Sequence, residues 1–178
     1  MTIADKIISR ADATFNMVFD KEKLNLVEAA GLYGIVLTGR QNVSTLALLY
    51  NHAEDADLKA LIKQAIDRQT EWLASRAEKA LADGGGHLPE LHFIKRDLRD
   101  DPLSIPPDAR FSDREVALTL ANMAKGAQLA LLGIMHNTYQ PYLAKMYREV
   151  LDDAFAFNHR LIQLTLEKGW LPHLHKLH

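Results

Sequence analysis

The chain has 178 residues, 48% hydrophobic and 25% charged, with a formal net charge of −2 and no cysteine. That length and balance suit one soluble globular domain with a sizeable core, running over 1–178. They exclude disulfides, thiolate catalysis and sulfur-ligated metals, and they leave no basic stripe with which to neutralise a nucleic-acid backbone.

The first fifteen residues lack the basic and apolar regions of a secretory signal. The uncharged runs Ala29 to Thr38 and Gly126 to Tyr139 fall short of the ~20 apolar residues of a membrane-spanning helix. A cytoplasmic protein with no membrane partner is expected. Four of the six prolines lie between residues 89 and 107, and the stretches 1–88, 108–140 and 142–171 contain none. Proline breaks helix interiors, so long helices fit the proline-free stretches.

An N-terminal helix within residues 1–22 is predicted from Ile3, Ile7, Ile8, Ala11, Phe15 and Val18, which recur at helical spacing. A first long helix starts near Asn25, with Glu28 completing a capping box, and runs to about His52. The stretch AEDAD makes a turn. A second helix runs from about Asp57 to Gly84-Gly85-Gly86, with Leu58, Leu61, Ala65, Trp72 and Leu73 inward. Residues 84–111 form a long link, within which LPELHFIKRDL is expected to make a short helix.

A third helix starts at the second capping box, Ser112 with Glu115, and carries Val116, Leu120, Met123, Ala127, Leu131 and Ile134. Pro141 opens a fourth helix, whose seam of Leu143, Tyr147, Val150, Ala154, Phe157, Leu161 and Leu164 alternates spacings of four and three. Helices of roughly 26 residues are about 39 Å long. Short turns make the first two helices one hairpin and the last two another. A structureless loop as long as the link is uncommon inside a domain. A crossover from one end to the other accounts for it, so the expected fold is all-α, a ferritin-like four-helix bundle with a long crossover link between helices 2 and 3. An up-down bundle with a loose loop is the alternative.

The tail, residues 173–178, holds His173, His175 and His178. KGWLP reads as a helix stop, with Gly169 as the left-handed cap, Trp170 folding back and Pro172 barring a restart. The histidines beyond it suit incidental metal binding better than a built ligand set. The carboxylate di-iron pattern requires Glu-x-x-His on two helices, and no glutamate in the chain begins one. Weaker metal candidates are Asp67 with Glu71, Asp153 near Glu149, and His136. Carboxylates on a polar helix face are ordinarily just solvated. The face bearing Asp152, Ala156, His159 and Gln163, and the turn at His52 to Asp55, read the same way. No nucleophile motif or phosphate loop is present, so no catalytic residue and no cofactor is expected.

The runs AAGLYGIVLT and GAQLALLGIM are apolar nearly all round, which calls for cover. The N-terminal segment could cover helix one and the link helix three. The functional reading is a homodimer through these uncharged faces. A small apolar ligand between the glycine-bearing helices is a further alternative.

The hairpin LYNHAEDADLKALIKQAIDRQTEWLASRAEKAL, the start FSDREVALTLANM and the stop EKGWLP resemble the spore coat F-like proteins and a related uncharacterised family of spore-forming Firmicutes. The resemblance covers about residues 25–172 and rests on helix starts and stops. It implies a ferritin-like fold, often without a di-iron site, a spore-associated place and a spore-coat or other protein partner. It supplies no catalytic residues. The histidine tail departs from it.

Overall fold

A computed structural model describes residues 23–101 and 103–172. The predicted N-terminal helix and the histidine tail lie outside the described residues. What is described is all-helical, without a strand: α1 (Leu26–His52), α2 (Ala56–Trp72), a π-helical turn (Leu73–Ala77), α3 (Glu78–Asp83), α4 (Asp113–Met135) and α5 (Pro141–Glu167). The segments α2, π turn and α3 follow without a break, giving four long helical rods.

The helix starts follow from the expected side chains. Asn25 accepts the amides of Val27 and Glu28, each at 2.9 Å, and Glu28 accepts the Asn25 amide in return. Ser112 and Glu115 make the same reciprocal pair at α4. The Glu115 carboxyl is held below its ordinary pKa by the hydroxyl and amide of Ser112. Asp55 caps α2 through the amides of Asp57 and Leu58. The stops follow as well. Gly85 (φ +87°) ends α3 and Gly169 (φ +68°) ends α5, where Trp170 returns its amide to the Thr165 carbonyl at 2.9 Å.

The π turn was not expected. Over the 23 steps from Leu58 to Leu81, about 100° each, a regular helix would carry Leu81 some 140° away from the core-facing side. One extra residue in a wide turn returns about 100° of that drift. Leu73, Ala77 and Leu81 thereby stay buried beside the inward line of Leu58 and Ile62.

α1 packs against α2 and α4, and α5 packs against α4 and α2. At one end, the Tyr139 and Gln140 amides reach Glu28, while Leu24 meets Gly84. At the other end, Asp113 accepts the amides of Glu54 and Asp55, and Lys168 binds Asp55 and Asp57. So α1 and α5 run one way, and α2–α3 and α4 run the other.

The link is not helical where LPELHFIKRDL predicted a helix. Its backbone is taken up by side chains of α1 and α2 instead. Pro89 O accepts from Arg40, Ile94 O from Ser44 and Asp97 O from Asn51, while Asn51 accepts the Arg99 amide. Lys59 Nζ reaches the carbonyls of Arg99 and Asp100. The partners advance along α1, so the link lies beside that helix. None of the described hydrogen bonds of residues 89–100 reaches α4. Leu98 of the link packs against the cluster that holds Val116, Ala117 and Leu120 of α4.

Two apolar clusters fill the interior. One joins Leu46, Leu49, Tyr50, Leu58, Ile62, Val116, Leu120, Leu161 and Leu164. The other joins Leu32, Val36, Leu73, Ala77, Leu81, Leu131, Leu143, Tyr147 and Leu151. Between them lies a polar waist, where buried Gln128 donates to Ala154 O at 3.0 Å and Gln69 reaches Gly39 O at 3.5 Å.

Candidate functional site

The waist is where ligands on facing helices of such a fold could converge, and here it carries two amides, a glycine and an alanine. The weaker metal candidates stand elsewhere. Asp67 is 61% exposed and bonds Lys63 on its own helix at 3.0 Å. Asp153 is 73% exposed and lies 3.6 Å from Arg68, while Glu149 pairs with Arg76. These two arginine pairs tie α2 and the π turn to α5, giving each of those carboxylates a cationic partner. Glu71 faces solvent, and His136 is an exposed C-cap of α4, at the far end of the molecule from the Asp55–Lys168 cluster. The four residues are not brought together. Among the described residues no three of His, Cys, Asp and Glu are placed to hold one metal ion.

Charged side chains also hold the two ends of the molecule. At one end Lys168 bonds Asp55 at 2.7 Å and Asp57 at 2.8 Å, Arg114 donates to Gly169 O, and Arg110 pairs with Glu54. The bonds from Asp55 and Asp57 push the Lys168 ammonium up. Burial pushes the Asp55 carboxyl up, but the Lys168 bond and the two cap amides outweigh it, and its pKa falls below the ordinary value. His52 stacks at an angle on Phe111, ring centres 5.3 Å apart, and accepts the Phe111 amide. This network ties the ends of α1, α2, α4 and α5 together.

At the other end Glu28 is 2% exposed. Its carboxylate accepts the amides of Tyr139 (2.9 Å) and Gln140 (2.8 Å), besides closing its own capping box. The α5 N-terminus has no side-chain cap of its own, so one carboxylate serves two helix starts. Sequence reasoning found only the first role. The second joins residues over a hundred positions apart, and nothing local signals it.

The link has a comparable clamp. Lys59 sits 4.9 Å from the Tyr50 ring centre, and Tyr50 Oη donates to Asp100 at 2.5 Å, a bond that raises the phenol pKa, with burial adding to it. Tyr147 is fully buried with no hydrogen-bond partner for its hydroxyl among the described residues, and burial pushes its pKa far up.

The remaining feature is apolar. α4 is, by length and composition alone, apolar enough to cross a membrane, yet it packs on α1 and α5, and only 17% of its most apolar window is buried. The bond from Gln128 to Ala154 fixes the α4/α5 register, and the next residues, Leu129 and Phe155, are 70% and 50% exposed. Leu118 on α4 and Ile162 on α5 are also exposed. The uncharged run marked Leu129, whereas Phe155 and Ile162 lie off the α5 seam and were missed.

Comparison with known proteins agrees with the helix-start and helix-stop motifs. A family model described as a protein of unknown function (DUF3231) matches residues 12–174, and the chain belongs to that family. An uncharacterized Bacillus subtilis protein, YvdQ, is 28% identical over 158 residues, covering 86% of this chain and 90% of its own. A crystal structure of a candidate spore coat protein from Bacillus halodurans superposes with a TM-score of 0.78 at 26% identity, over 87% of this chain and 97% of that one. The expected kinship with proteins of spore-forming bacteria holds at that level.

Proposed function

We propose that this member of the DUF3231 family is a non-enzymatic structural or interaction protein, spore-associated, that forms a homodimer through uncharged helix faces. The carrying observation is the solvent-facing apolar surface of α4 and α5, with Leu129 at 70% and Phe155 at 50% exposure. Exposed apolar surface of this kind marks association sites. The likeness to a candidate spore coat protein supports the spore-associated part. The fold reading is a single-domain, ferritin-like four-helix bundle with residues 84–111 as the crossover. Its support is that the link's bonds advance along α1 and that α1 neighbours α2 and α4. The protein is made in the cytoplasm and takes a second copy or another coat protein as partner, with no nucleic acid and no membrane.

Light scattering after size exclusion tests the association. The full chain, 20.0 kDa as a monomer, is expected at about twice that mass, and L129E with F155E at the monomer mass. A wild-type monomer at tens of micromolar refutes the dimer. The alternative, a metal-binding ferritin-like protein with non-standard ligands, is tested by metal content. Stoichiometric metal that survives removal of residues 173–178 would favour it over the non-enzymatic reading.

A further inference from the structure

The exposed large apolar side chains of α4 and α5 are Leu118 and Leu129 on the one and Phe155 and Ile162 on the other, at 39%, 70%, 50% and 37% exposure. Each pair shares a helix face, because Leu118 and Leu129 are three turns apart and Phe155 and Ile162 two. Both pairs belong to outer lines that alternate spacings of four and three: Leu118, Asn122, Lys125 and Leu129 on α4, and Arg148, Asp152, Phe155, His159 and Ile162 on α5. A line with that spacing suits a facing helix.

The two pairs have one centre. The α4/α5 register is set at two heights, by the bond from Gln128 to Ala154 O and by that from Arg114 to Gly169 O. Four to five residues back from Gln128 lies the midpoint of Leu118 and Leu129, between residues 123 and 124. The same count forward from Ala154 reaches the midpoint of Phe155 and Ile162, beside His159. A pattern symmetric about one height on two antiparallel helices fits a copy of itself turned end for end, which is what an isologous contact requires. Charge follows the same centre. On the α2 side of α5, Glu149 and Asp153 are taken up by Arg76 and Arg68, whereas Arg148 and Glu167 are exposed without an ion pair among the described residues. Turning about that centre brings Arg148 within about 3 Å in height of the partner's Glu167, once at each end of the contact.

We propose that a second copy sits on a two-fold at right angles to α4 and α5, crossing α5 at His159 and α4 between Asn122 and Lys125, and that protonation of His159 opens this dimer. The two-fold rests on the homodimer reading above and gives it a geometry and a control. Each of the two helices lies antiparallel along its own twin. Leu118 meets the partner's Leu129, Phe155 meets the partner's Ile162, and the two His159 side chains face each other. Lys125, the one charged residue of α4 beyond its first turn, flanks the axis in both copies. On α5 itself Arg148, Asp152 and Glu167 stand about 10 Å or more from His159 along the helix, and half-buried Arg160 points about 100° away. Above about pH 6.5, the ordinary histidine value, only the two ammonium groups flank the axis, and below it two imidazolium rings join them. Like charges across a contact repel, so association is full above that pH and is lost as pH falls through it.

Sedimentation of the full chain reads the control. The dissociation constant is expected to rise about tenfold between roughly pH 7.5 and pH 5.5 in the wild type and to stay level in H159Q. A level constant in the wild type, or an equal rise in H159Q, overturns the role of His159. The chain has no native thiol, so introduced ones report the geometry without background. Oxidation of H159C is expected to give a covalent dimer, and D152C, whose twins stand about 20 Å apart in height, is not. L118C and L129C are expected to join when mixed before oxidation and to stay apart when each is oxidised alone. A wild-type monomer overturns the homodimer reading and the two-fold with it. A wild-type dimer in which D152C joins as readily as H159C, or in which L118C and L129C do not join on mixing, leaves the homodimer standing and overturns the two-fold alone.

Discussion

Glu28 gives the sharpest test of how the ends are held. Removing its side chain (E28A) deprives the Tyr139 and Gln140 amides of an acceptor at 2.9 and 2.8 Å, and the Asn25 amide of a weaker one at 3.3 Å. Hydrogen bonds to a charged group contribute about 1.5–3 kcal/mol each, so the two short ones together approach ~4 kcal/mol. Tyr139 is 82% exposed, and water entering there restores part of the loss, leaving about 3 kcal/mol. For a domain of this size each kcal/mol moves Tm by about 2–4 °C, which gives a fall of about 6–12 °C. E28Q keeps the volume and one neutral acceptor but loses the charge, and should fall about halfway. Removing only the α1 cap, N25A, should cost about 1 kcal/mol. Thermal and urea unfolding followed by circular dichroism measures all three. If E28A costs no more than N25A, Glu28 stabilises α1 alone and the bridge to α5 is energetically idle.

Asp55 has a lowered folded pKa, so its contribution is fully present above the ordinary value of 3.8 and is lost as pH falls through the lower folded value. D55N, which keeps a good N-cap, should flatten the acid limb of the stability–pH curve as pH falls from the ordinary value toward the lower folded one, and an unchanged limb would refute the assignment. K59M removes the ammonium from two carbonyls and from the Tyr50 face, and should cost about 2 kcal/mol and open residues 95–101 to proteolysis at native temperature. G39A places a Cβ 2.6 Å from Leu73 at the π turn, and is expected to destabilise by about 1–3 kcal/mol in urea.

Helix boundaries were legible because their causes are local. Asn25 with Glu28, Ser112 with Glu115, Pro141 and Gly169 act within one turn of chain. The α5 seam was legible too, since Leu143, Tyr147, Leu161 and Leu164 are all buried. The misses have causes remote in sequence. The π turn answers an accumulated twist over 23 residues, which no short window registers. LPELHFIKRDL has helical residues, but Arg40, Ser44, Asn51 and Lys59 compete for its backbone and prevail. The metal candidates shared helix faces as read, and the arginines that partner Glu149 and Asp153 come from the neighbouring rod.

The interior's polar groups bear on what the protein can do. Glu28, Lys59, Gln128 and Thr165 are the buried polar side chains among the described residues. Each is bonded to backbone: Glu28 to two amides at the start of α5, Lys59 to two carbonyls of the link, Gln128 to Ala154 O and Thr165 to Ile162 O. A buried charge persists when it is paired or multiply hydrogen-bonded; Glu28, Lys59 and Gln128 make their bonds by fastening one rod to another or to the link, whereas Thr165 bonds within α5. Catalytic groups show the opposite habit, with side chain facing side chain in a cleft and pKa values drawn toward the working pH. Tyr147 departs from the backbone rule as a phenol without a partner among the described residues, inside the second apolar cluster, and its pKa moves away from neutrality. That shift keeps it a neutral donor. Y147F, which removes only the unpartnered hydroxyl, should therefore leave stability unchanged or raise it by about 1 kcal/mol, and a loss above that size in urea would reveal a partner that the side chain does hold.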